Sequence, residues 1–144
     1  MRRVSFRSFA AALALAAAVL TSAACDSGEA ATPINPSPLP PVTDTFTGTL
    51  TINGASIFTF TSLGAGGMSA TLKTLGLTDT TIPVGFGVGV WNGTTCQITL
   101  ANENAFQGTV ILGSINGVGV LCARVADVGK LVESASFEII IVHP

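Results

Sequence analysis

From Phe46 onward, apolar and polar residues alternate with a period of two, the pattern of strands that bury one face. Phe46, Leu50 and Ile52 alternate with Thr47, Thr49 and Thr51, while Val84, Phe86, Val88 and Val90 alternate with Gly85, Gly87 and Gly89. Similar strand patterns run over Ser56–Ser62, Met68–Leu75, Cys96–Ala101, Gly108–Ile115, Val118–Ala126 and Ser134–Val142. Each is short and bounded by turn residues, and together they predict about eight strands with no helical periodicity between them. An all-β, antiparallel sandwich or barrel of about 100 residues follows.

Asn-Gly occurs three times between strand patterns, as Asn53-Gly54, Asn92-Gly93 and Asn116-Gly117. A type I′ turn needs positive φ at both central residues, which this pair tolerates best, so three hairpins are predicted. Pro83 fits the start of its strand or an edge, where no ladder N–H is needed. In the last strand Ile140 and Val142 alternate with Phe137, Ile139 and Ile141, so both faces are apolar. Such a strand lies centrally in its sheet or forms a contact with a partner.

The region before Phe46 has a different texture. Three arginines (Arg2, Arg3, Arg7) precede an apolar run from Phe9 to Leu20, a small-residue tail Ser22-Ala23-Ala24, and Cys25. This is an export signal, and its arrangement resembles a bacterial lipoprotein leader. The resemblance implies that residues 1–24 are removed and that Cys25 becomes a lipidated N-terminus. Ser22 stands where such leaders usually carry Leu, and Ser22 with Ala24 also suits general signal peptidase. An uncleaved anchor is disfavoured by length, since Phe9–Ala24 falls short of the roughly 20 apolar residues a spanning helix needs. Residues 25–45 hold five of the seven prolines (Pro33, Pro36, Pro38, Pro40, Pro41) and read as a spacer reaching about 60 Å when extended. The β-domain is then expected over 46–144.

Charge narrows the partners. Residues 25–144 keep Lys73, Arg124 and Lys130 against eight carboxylates, a net charge of −5. Three scattered cations cannot neutralise a run of phosphates, which argues against nucleic acid and anionic lipid surfaces. With Cys25 assigned to lipid, Cys96 and Cys122 remain in an oxidising compartment, either as a disulfide or as two separate thiols.

The order of elements resembles the bacterial pre-peptidase C-terminal domain. The resemblance is carried by Phe46-Thr-Gly-Thr-Leu50, Phe58-Thr-Phe60, Ser69-Ala-Thr-Leu-Lys73, the Gly/Val strand at 84–90, Gly119-Val-Leu-Cys-Ala-Arg-Val125 and Phe137-Glu-Ile-Ile-Ile141. It implies a jelly-roll-like sandwich that serves binding, folding or secretion and is not a catalyst. Leu121 occupies the position of a Tyr in that family.

Candidate chemistry is sparse. The one histidine, His143, is next to the last residue given, where chain ends tend to fray, and a general base must be held firmly beside its nucleophile. No HExxH, GxSxG, P-loop or CxxC motif is present. Asn102, Glu103 and Asn104 form the richest oxygen cluster and are either a calcium site or an ordinary polar turn. Trp91, beside Asn92-Gly93, either offers an indole face to a sugar or caps the core. Thr47, Thr49 and Thr51, with Thr59 and Thr61, form either a hydroxyl surface for adhesion or an ordinary solvated strand face. The expectation is a noncatalytic, lipid-anchored envelope protein that makes structural or adhesive contacts with other envelope proteins or extracellular polymers, without a required cofactor. The alternative is a calcium- or carbohydrate-binding accessory module.

Overall fold

The computed structural model describes residues 39–144. Eight strands follow in order: β1 Val42–Leu50, β2 Ala55–Ser62, β3 Ala65–Gly76, β4 Val84–Trp91, β5 Cys96–Ala105, β6 Val110–Asn116, β7 Gly119–Ala126 and β8 Ala135–His143. They form two four-stranded antiparallel sheets, β1-β8-β3-β6 and β2-β7-β4-β5. This is the jelly-roll form of the β-sandwich. β1 pairs with β8, β2 with β7, β3 with β6 and β4 with β5. The chain is thus one long two-stranded ribbon with its tip at the β4–β5 hairpin. The ribbon bends between the sheets, so that β8 also meets β3 and β7 also meets β4.

That wrapping corrects two of the three expected hairpins. Only Asn92-Gly93 joins strands that pair with each other; Asn53-Gly54 and Asn116-Gly117 carry the chain from one sheet to the other. The residue pair reports a local reversal, but the partner of the next strand is chosen by distant residues. At the first corner Asn53 has φ 57° and the Gly54 amide donates to the Thr51 carbonyl at 2.9 Å. Asp127 binds this corner from the returning half of the ribbon. Its carboxylate accepts from the Asn53 amide at 2.8 Å and its own amide donates to the Gly54 carbonyl at 2.9 Å.

β1 starts at Val42, four residues before the expected boundary, and its full length is in register with β8 from Val42↔His143 to Leu50↔Ala135. Alternation sends Leu50, Phe60, Leu72, Val84, Phe86, Val125, Phe137, Ile139 and Ile141 into one core. β8 is a central strand, which accounts for its apolar outer residues Ile140 and Val142, both half-buried between β1 and β3. Phe58 links Phe46, stacked at 5.0 Å between ring centroids, to Phe137, edge-on at 6.0 Å.

The Gly residues of β4 mark a close approach of backbone to backbone. Gly85, Gly87 and Gly89 face away from the core yet are buried, because β5 curls over them. A Cβ on Gly89 would overlap the Gln97 carbonyl, and one on Gly87 would lie 3.0 Å from Ile98 and 3.1 Å from the Leu100 carbonyl. β5 is able to curl because its register with β4 shifts twice, between Val84 and Phe86 and between Val88 and Gly89. Such irregularities also blunt an edge strand against unwanted pairing.

Candidate functional site

The three strand connections at one end of the sandwich are the β2–β3 corner, the β4–β5 hairpin and the β6–β7 corner. Leu39, the first described residue, packs there against Gly64. At this end the two sheets part and leave a cleft of about 600 Å³. That volume lies within the usual range of ligand pockets.

Val90 shows why the cleft is a gap between the sheets and not a dent in the surface. It continues the core-facing series Val84, Phe86, Val88, and it stands opposite Leu121 in the ladder, yet it is 46% exposed. Met68 and Ile115 supply the facing wall from the other sheet. Leu121 lines the same gap half-buried.

Trp91 stands at the cleft, half-buried and paired with Cys96. The hairpin tip that carries it is pinned by Asn92. Its side-chain oxygen accepts from the Thr94 amide at 3.0 Å and the Thr95 amide at 2.8 Å, while its Nδ2 donates to Thr95 Oγ1 at 3.0 Å. Gly93 takes φ 96°, so the tip is a four-residue loop and not the two-residue type I′ turn expected. The opposite rim is the Asn116–Gly119 corner, with Val118 77% exposed.

Electrostatically the cleft is empty: none of its lining residues is ionisable. The carboxylates with depressed pKa lie in the connections at the other end. For Asp127, partial burial works upward, but amides of Asn53, Leu131, Lys130 and Gly129 together hold the group below its ordinary value. Asp79 is held down by the Thr81 hydroxyl and amide, and Glu133 by the Thr78 amide and hydroxyl. A second depression, between Glu103 and Arg124 over the Gly stripe, holds about 10 Å³, room for one water.

Cys96 and Cys122 form a disulfide with Cα atoms 5.8 Å apart. Cys25 and residues 25–38 of the spacer lie outside the described residues. Asn102, Glu103 and Asn104 sit on the exposed edge strand β5. Asn102 Oδ1 accepts from the Asn104 amide at 2.9 Å, while the Glu103 carboxylate lies over Gly85. Among the described residues, no three His, Cys, Asp or Glu side chains cluster as a metal site. Thr47 and Thr49 share the outer face of β1, joined by Thr43 and Thr45, whereas Thr51 lies beyond the strand.

His143 departs from the frayed end expected of it. It is 1% exposed, with Nε2 3.0 Å from Asp44 Oδ2, Nδ1 3.1 Å from the Pro144 carbonyl and its ring 5.0 Å from that of Phe60. Pro144 is held in turn by the Leu63 amide at 3.2 Å. Ser62, also buried, lies close by, but its hydroxyl is directed at the Gly64 and Pro144 carbonyls at 2.7 and 3.3 Å. The group joins β1, β2 and β8, and none of its members lines the cleft.

Comparison with known proteins returns no match, either to a family model or to a curated protein.

Proposed function

We propose that this is a noncatalytic binding module of the bacterial cell envelope, tethered by lipid on Cys25 and making adhesive contacts through the cleft end of its sandwich. The observation that carries the reading is the exposed, core-facing Val90 in an uncharged cleft bordered by Trp91. A sandwich that leaves part of its inner face open keeps apolar surface available to a partner. The spacer from Cys25 to Pro41 spans about 50 Å when extended, enough to let the domain turn toward a neighbouring surface. The resemblance to pre-peptidase C-terminal domains, which act as accessory modules, agrees with this role.

The test is fractionation of cells carrying Cys25→Ala. The variant is expected in the soluble envelope fraction, with a mass spectrum of the wild-type N-terminus showing the acylated cysteine. A variant that stayed with the membrane would assign anchoring to the sandwich and overturn the tether.

A further inference from the structure

Charge is segregated along the length of the sandwich. In the half of every strand nearest the cleft end, and in the connections there, the ionisable side chains among the described residues are Asp44 and His143, which are bonded to each other. Lys73, Arg124, Lys130 and every other described carboxylate, from Asp79 to Glu138, lie toward the opposite end. The cleft end exposes apolar side chains instead. Leu63 in the β2–β3 corner is 62% exposed, and Val118 in the β6–β7 corner is more so. Ser62 stands opposite Gly119, so Leu63 and Val118 leave one ladder side by side. Leu39 packs against the next residue, Gly64, and Val120 and Val90, both exposed, lie on the adjoining ends of β7 and β4. The opposite end also exposes Ile52 and Val132, but beside Asp127, Lys130 and Glu133.

We infer that the cleft end seats on a zwitterionic lipid bilayer, with Leu63 and Val118 dipping below the headgroups and Trp91, the last residue of β4, at headgroup level. This rests on the proposed use of the cleft end for binding and names the partner surface. The point of entry of the chain favours lipid over protein. The chain reaches the domain at Leu39, on this same end and 14 residues after Cys25 (39 minus 25), so a lipid on Cys25 draws the apolar corners toward the membrane. Tethering makes the contact intramolecular, at an effective concentration of about millimolar, so a shallow and weak seat is enough. A protein interface rings its apolar centre with polar and charged groups that fix register and partner, and this end offers no free charge for that use. A bilayer needs only apolar side chains that enter its interface without carrying charge inward, and an indole suits the headgroup level. Charge also selects the lipid. The end presents no cation and the domain is net negative, so anionic headgroups repel it.

The test is an equilibrium titration of the exported chain, residues 25–144 with Cys25→Ala, with phosphatidylcholine vesicles, alone or mixed with phosphatidylglycerol, followed through Trp91, the single tryptophan. Phosphatidylcholine is expected to shift Trp91 emission to the blue, lipid brominated near the headgroup should quench it more than lipid brominated at the tail end, and phosphatidylglycerol should weaken the binding. Leu63→Asp and Val118→Asp should each lower the partition coefficient tenfold or more at an unchanged urea midpoint, while Val132→Asp, at the opposite end, leaves it as it was. Absence of a blue shift and of quenching at millimolar lipid overturns the inference, as does binding confined to phosphatidylglycerol or a partition unaffected by both cleft-end substitutions. The same chains titrated on isolated envelopes separate the two levels of the account. Binding to envelopes that is lost with Val118→Asp, without binding to vesicles, removes the lipid and leaves the binding module standing, whereas binding to neither removes both.

Discussion

Cys96 and Cys122 are joined across an intervening strand. Cys96 lies on β5 and Cys122 on β7, with β4 between them in the sheet, yet their Cα atoms are 5.8 Å apart. Next-but-one strands in a flat sheet are about 10 Å apart. The bond is short enough to form because β5 folds over Gly89, the residue of β4 that stands opposite Cys122. Trp91 is two residues further along β4 and pairs with Cys96, so the same crossing that makes the disulfide also sets one border of the cleft.

Gly89→Ala should therefore be far more damaging than its one added carbon suggests. The methyl would meet the Gln97 backbone, which has no rotamer with which to move aside, and we expect a loss of about 2–3 kcal/mol in urea unfolding. Gly67→Ala, with nothing within 4 Å of the new methyl, should change stability by less than about 0.5 kcal/mol.

Replacing both cysteines by Ala removes a covalent link spanning 26 residues of sequence. The chain-entropy model sets the loss near 3.5 kcal/mol, and a measured loss of about 2–4 kcal/mol would agree with it. Emission from Trp91, the single tryptophan, should shift to the red in the folded variant as β5 loosens. An unshifted spectrum would show that the ladder alone holds the cleft border.

How much of this was legible is clearest at the strand ends. Period-two alternation located all eight strands, because each β-sandwich strand must bury every second side chain. It failed on β5 beyond Ala101, where both faces of a bulged edge strand are exposed and Asn102-Glu103-Asn104 looks like a turn. It also missed the start of β1, where Thr43 and Asp44 look like linker until Asp44 meets His143, a partner 99 residues away. The cleft was partly legible through Trp91. Val90 was not, since its alternation assigns it to the core and only the parting of the sheets exposes it.

Buried His143 should matter for stability despite its position near the end of the sequence given. His143→Ala empties a space beside Phe60 and removes the partner of Asp44, at an expected cost of about 2–4 kcal/mol by thermal or urea unfolding. Asp44→Asn, which keeps an acceptor facing Nε2, should cost under about 1.5 kcal/mol.

The corner carboxylates predict acid sensitivity. Because Asp127 has a folded-state pKa below its ordinary 3.8, its stabilisation is full well above that value. It is lost as pH falls through the lower, folded-state pKa. Asp79 and Glu133 act in the same direction. Asp127→Asn should weaken the wild type at neutral pH and flatten the fall in urea midpoint below about pH 4. An equally steep fall in the variant would locate the acid response elsewhere.

The most direct test of binding through the cleft end compares two valines that are almost equally exposed at opposite ends of the sandwich, Val118 at 77% and Val132 at 76%. Each is changed to Arg in chains that also carry Cys25→Ala, so that lipid cannot mask the result, and binding to isolated cell envelopes is titrated. The account predicts saturable binding that weakens tenfold or more with Val118→Arg and is unchanged with Val132→Arg. Equal effects of the two substitutions, or a loss confined to Val132→Arg, would contradict it.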